Sequence, residues 1–217
     1  MAKGIGYIIR GPQTYAAPNP PAFYQATFIG VPNNGTINIP ITSTGEASYL
    51  LGNPYPSALD AVSFITNNTI LDGTLYFWTH GTKIGAGTAN LGSGSLAYTS
   101  DDYASYTLTG GAAASSGGAI PTGQIGSGQG FFVTTTGAGT VNFTNTMRVG
   151  VGLNTGSNSQ FFKTQAASKT AGVEKNRLWL DFYNNQGAYK QALVGYVSGA
   201  TNDIDGQYDG ESFDANE

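Results

Sequence analysis

Cysteine is absent from the 217-residue chain, and histidine occurs once, at His80. The first absence excludes disulfides and thiolate metal sites. The second excludes a metal site built on several imidazoles and obliges any Ser-His-Asp arrangement to use His80. Charge is scarce as well: Lys, Arg, Asp and Glu make up 10% of the residues, and the net charge is -4. The few cations are spread along the chain, so the clustered positive charge that binds nucleic-acid phosphates is missing. No apolar run approaches the ~18 residues of a membrane-spanning helix. The first ten residues also lack the charged, apolar and small-residue order of a signal peptide. The sequence therefore predicts no nucleic-acid partner and no membrane span.

Glycine is abundant, at 32 residues, and hydrophobic residues reach 40% with 12% aromatic. That apolar content fills a core, while the shortage of Glu, Lys and Arg beside many Thr, Ser and Asn favours strands joined by turns. All-β domains of about 200 residues are common as single units. The expected architecture is therefore one all-β domain over 1–217, a jelly-roll-like β-sandwich with one short helix near 58–67 and long Gly-rich loops.

Strand patterns are expected at 6–10, 23–30, 36–41, 74–80, 103–109, 126–134 and 141–149. A Pro-rich connection spans 12–21, and Asn33-Asn34-Gly35 makes a hairpin turn. Ser57, after two X-Pro bonds, is the expected cap of the helix, with Leu59, Val62 and Phe64 or Ile65 turned inward. Residues 81–95 are expected to be a long loop and 110–118 a mobile, low-complexity stretch. The clearest hairpin joins 177–183 to 188–197 through Asn184-Asn185-Gln186-Gly187. Beyond Gly199 the chain turns acidic and carries no closing strand. The expectation is a fragment of a larger protein, with an open sheet edge completed by strand exchange with another chain or with downstream sequence.

Two constellations stand out. Tyr76, Trp78 and His80 occupy i, i+2 and i+4 of the expected strand and share one face. If exposed, they form a ligand-binding platform on which sugar rings stack; if buried, they are core. Asp203, Asp205, Asp209 and Glu211, interrupted by Gly206 and Gly210, supply oxygen ligands at a spacing suited to calcium. The alternative is a solvated acidic loop, and no cofactor is required. Gly4-x-Gly6 and Gly126-x-Gly128-x-Gly130 precede strands rather than helices, so they are turn or bulge glycines and not phosphate loops. Asp181 is expected to pair with Arg177 or Lys190. No two carboxylates are linked as an acid and base, so no catalytic residue is assigned and the protein is expected not to be an enzyme.

A series of blocks, GIGYIIR (4–10), LGNPYPSALDAVSFI (51–65), GTLYFWTH (73–80), IGSGQGFFV (125–133), TMR (146–148), SQFFK (159–163), NRLWLDFY (176–183) and GATNDIDGQYDGESFD (199–214), runs through the chain. In order and spacing it resembles a β-rich extracellular region of very large Bacteroidota surface proteins exported by the type IX secretion system. The resemblance implies a secreted or cell-surface location in an adhesin-like protein and carries over no catalytic residue, so the chain is expected to be a non-catalytic structural or adhesive module; its surface ligand is left open, a glycan being one candidate. A carbohydrate-binding module using the aromatic strand face is the alternative, and a polysaccharide hydrolase the third reading.

Overall fold

The computed structural model describes residues 1–9, 27, 29–82, 85, 86, 96–149, 176–185 and 189–212. The expected connection at 12–21, most of the strand at 23–30, most of the loop at 81–95, the block at 159–163 and the Gln186-Gly187 part of the hairpin turn lie outside them.

The elements are β1 (Ile37–Ile41), β2 (Ala47–Gly52), β3 (Leu59–Asp60), α1 (Ala61–Asn67), β4 (Leu71–Trp78), β5 (Gly85–Ala86) and β6 (Leu96–Ala97). They continue with β7 (Tyr103–Tyr106), β8 (Gly111–Ala112), β9 (Gln124–Ile125), β10 (Gly130–Thr135), β11 (Gly139–Phe143), β12 (Asn176–Tyr183) and β13 (Tyr189–Tyr196). The chain is all-β with one helix among the described residues. Its main sheet has five strands in the order β2-β10-β4-β7-β8, and every described pairing is antiparallel. No described helix is long and apolar enough to cross a membrane.

The core follows from alternation. Leu51 of β2, Phe131 and Val133 of β10, and Leu75 and Phe77 of β4 project from one face of the sheet. Over them lie α1 and the ribbon of β1 and β11, which contribute Phe64, Ile65, Ile39, Ile41, Val141 and Phe143. Phe64 joins the layers, with its ring 5.3 Å from Phe131 and 5.0 Å from Phe143. The result is a sandwich-like stack, not closed into a barrel.

Several local expectations change. Of the strand expected at 6–10, the described residues 6–9 form none, and the segment meets β2 through a single Ile5–Leu51 bridge. The Ile37, Ile39, Ile41 alternation does form a strand; its described partner is β11, with Ile39 opposite Val141, and most of the other strand of the expected hairpin lies outside the described residues. The helix starts at Ala61 because Leu59 and Asp60 are already paired, extended, with Ile125 and Gln124. Asp60 is therefore the cap, its Oδ1 accepting the Ser63 N–H at 2.7 Å, while the Ser57 hydroxyl accepts from Arg148 Nε at 2.9 Å. Residues 110–118, expected to be mobile, supply β8 and the buried Gly110, Gly111 and Ala114.

Candidate functional site

Directly opposed residues of an antiparallel pair share a face. Tyr76 lies opposite both Phe132 and Ser105, and Trp78 opposite Tyr103. These side chains therefore occupy the second face of the main sheet, away from the core. On β7 the alternation is sharp: Ala104 and Tyr106 are buried, while Tyr103 and Ser105 are half-buried on the second face. The Tyr103 ring is held edge-on to Phe132 at 5.7 Å. Burial first, and the nearby Asp102 carboxylate second, push its phenol pKa up.

The acidic segment 205–212 lies across this face as a strap. Leu108 N–H donates to Gln207 O at 2.9 Å, and the Thr107 and Thr109 hydroxyls both donate to Tyr208 O, at 3.0 and 2.8 Å. Tyr76 Oη donates to Glu211 O at 3.2 Å. Backbone lies directly on backbone here. A Cβ on Gly73, whose φ is +98°, would overlap Gln207 Cα and sit 2.7 Å from Gly206 O; one on Gly206 would sit 2.8 Å from Asp72 O.

Strap, sheet face and β13 enclose a groove of 490 Å³. Tyr103 and Ser105 line it from β7, Lys190 and Gln191 from β13, and Tyr208 and Asp209 from the strap. The β12–β13 hairpin is fixed against β8: Trp179 Nε1–H donates to Gly111 O at 3.0 Å, and Gln191 Oε1 accepts the Ala113 N–H at 2.9 Å. Gln191 Nε2 donates to Asp181 Oδ1 at 2.8 Å, and Tyr189 Oη reaches the same oxygen at 2.9 Å. Asp181 thus bonds an amide and a phenol rather than the expected Arg177 or Lys190. Lys190 Nζ donates to Ser212 Oγ, and Asp209 Oδ2 accepts the Asp205 N–H at 2.7 Å. The groove's cation and its acid therefore also hold the strap.

The expected aromatic platform is split. Tyr76 is buried beneath the strap, and burial, reinforced by Asp72, pushes its pKa up to about 12. Trp78 is half-buried, with His80 stacked on it at 4.7 Å and Tyr98 6.1 Å away. His80 is exposed but off the strand, at φ +52°. Asp102 causes that turn. Its backbone oxygen accepts the Thr79 N–H and hydroxyl, both at 2.8 Å, and its carboxylate accepts the Thr82 N–H at 3.0 Å. The shared face predicted for Tyr76, Trp78 and His80 therefore ends at Trp78.

Asp205 and Asp209 bond backbone N–H groups of this segment through their carboxylates, whereas Asp203 and Glu211 take part through backbone atoms. The Asp205 carboxylate accepts the Thr201 N–H, its carbonyl accepts from the Tyr208 and Asp209 N–H groups at 2.8 and 2.7 Å, and Asp203 N–H donates to Thr201 Oγ1 at 3.1 Å. Glu211 contributes its carbonyl to Tyr76. Among the described residues no three acidic or histidine side chains converge on a metal position. Gly206 and Gly210 let the strap lie against Asp72 and against Thr107 and Thr74. Asp72, beneath it, is raised in pKa chiefly by burial, with Glu46 and Glu211 adding repulsion.

These features define a layered all-β domain bearing a polar groove on its second sheet face. The chain belongs to the family described as Domain of unknown function (DUF8693), whose model matches residues 1–217. No curated protein and no solved structure matches it.

Proposed function

We propose that this domain is a non-catalytic structural and adhesive module of a secreted or cell-surface bacterial protein. The observation that carries this reading is the groove. It is ligand-sized and assembled from sheet, hairpin and strap, and the charged side chains in it are engaged in fixing its walls. Hydrolysis by paired carboxylates needs two acids facing across a cleft, roughly 5–10 Å apart. Among the described lining residues Asp209 is the one acid, and it is bonded to the strap backbone. The aromatic platform supports carbohydrate stacking poorly, because Tyr76 is covered and Trp78 already carries His80. The block series resembling surface-exported Bacteroidota proteins supports the location.

The hairpin supports a structural role through lateral assembly with a second copy. β12 is exposed at every residue and pairs only with β13 among the described strands. A second β12 laid antiparallel with Trp179 at the two-fold axis sets Arg177 opposite the Asp181 of the other copy and Leu178 opposite its Leu180. Such a self-complementary edge suits a surface stalk.

Protease treatment of intact cells, followed by detection of the parent protein, tests the location. The reading expects cleavage from outside and retention of the purified chain on a bacterial or host surface. Recovery of the parent solely from the cytoplasm, with no retention on any surface, overturns it.

A further inference from the structure

We propose that the groove between β7, β13 and the strap is a binding site for a short, neutral saccharide, an inference that rests on the adhesive reading and names its ligand. At 490 Å³ the groove falls within the ~300–1,000 Å³ of small-molecule sites. Its surface is more polar than apolar, which suits hydroxyl groups better than the aliphatic side chains of a peptide.

A sugar ring presents an apolar C–H face and a rim of hydroxyls that both donate and accept. Tyr103 offers a ring already fixed edge-on against Phe132, so it needs little ordering on contact. Ser105 stands two residues along the same strand face, which places a hydroxyl about 7 Å from the Tyr103 position. Across the groove Gln191 is locked at both ends of its amide, by the Ala113 N–H and by Asp181. The one ammonium and the one carboxylate among the described lining side chains, Lys190 and Asp209, cancel in charge. These lining side chains therefore carry no net charge with which to select an ionised sugar. Glycine at 110, 195 and 210 keeps the lining low: a side chain at Gly195 would meet Thr109 Cγ2 at 2.5 Å, and one at Gly210 would meet Thr107 Cγ2 at 2.6 Å.

The test is a panel of neutral and acidic oligosaccharides titrated against the 217-residue chain and against Ser105→Phe, Tyr103→Ala and Ser105→Ala, with near-ultraviolet dichroism confirming each fold. A neutral oligosaccharide should bind the natural chain. Ser105→Phe, which fills the groove, and Tyr103→Ala should each weaken it tenfold or more, and Ser105→Ala should weaken it severalfold. Equal binding by natural chain and Ser105→Phe overturns the site, as does loss of binding in His80→Ala with Ser105→Phe unaffected. Adhesion to surfaces without binding to any neutral saccharide removes this inference and leaves the adhesive reading standing. Saccharide binding by a protein found solely in the cytoplasm does the reverse.

Discussion

Gly73→Ala should loosen the strap while leaving the sheet folded. Gly73 has φ +98°, a conformation that costs an L-residue about 1–2 kcal/mol. Its new methyl would also meet backbone rather than a yielding side chain, at Gln207 Cα and Gly206 O. Overpacking of that kind adds about 1–3 kcal/mol, for a total of about 2–5 kcal/mol. Against this stand the strap's bonds: Leu108 to Gln207, Thr107 and Thr109 to Tyr208, and Tyr76 to Glu211. At about 0.5–1.5 kcal/mol each they contribute roughly 2–6 kcal/mol. Releasing the strap relieves the overlap but not the strain at φ +98°, so the overlap, about 1–3 kcal/mol, offsets part of what these bonds contribute, and the strap loosens before β4 unfolds. Hydrogen exchange should show the Leu108 and Tyr208 amides losing protection while those of Val133 and Leu75 keep theirs. Gly35→Ala separates strain from overlap, since Gly35 has φ +81° but open space around it; it should cost about 1–2 kcal/mol and leave the strap protected. Unchanged protection at Leu108 and Tyr208 in Gly73→Ala would refute the argument.

Asp72→Asn keeps the acceptor for the Thr74 N–H, a 2.9 Å bond, and removes a buried charge. Because the folded-state pKa of Asp72 is raised above 3.8, its stabilising contribution is full below 3.8 and is lost as pH rises through the raised value. Urea melts should therefore show the variant gaining on the natural chain as pH increases; a difference independent of pH contradicts this. Asn53→Ala strips the buried Nδ2 bonds to Ser57 O, Ile125 O and Gly126 O and the Oδ1 bond from the Tyr55 N–H, and denaturant unfolding should register a loss of about 2–4 kcal/mol. Asp60→Ala should cost about 1 kcal/mol by removing the helix cap, the loss read as a lowered melting midpoint, and it should exceed the cost of Ser57→Ala. Arg177→Asp should lower self-association in sedimentation measurements, and adding Asp181→Arg should restore it; no concentration dependence in the natural chain contradicts edge pairing.

Strands, turns and the hairpin were legible because period-two alternation is local. Leu178, Leu180 and Phe182 against Val194 and Ala192 needed only a turn between them, and the two strands do pair, with Tyr183 opposite Tyr189, one residue beyond the expected flank. The ribbon of β1 and β11 was not legible, since Ile39 finds Val141 across a hundred residues and no local signal names that partner. The helix start moved because the pairing of Asp60 with Gln124 fixes its backbone as extended. At the site, the aromatic spacing was correct as far as Trp78, but whether its face was covered depended on a strap 130 residues later in the chain. The acidic loop's carboxylates are conspicuous in the sequence, but its contact with the sheet, made by carbonyl oxygens and bare glycine, carries no sequence signal. One signal for the groove was available: hydroxyls at Ser105, Thr107 and Thr109 alternate with Ala104, Tyr106 and Leu108, a polar and an apolar set running from β7 into the turn after it.

The measurement that bears most directly on the groove as the working surface is a heteronuclear NMR titration of the labelled chain with the neutral oligosaccharide that it retains. The account predicts shifts gathered at the amides of Tyr103, Ser105, Gln191 and Tyr208, with the core amides of Phe64 and Val141 unmoved. Shifts confined to His80 and Trp78, or to the exposed Leu178 and Phe182 of the hairpin, would contradict it.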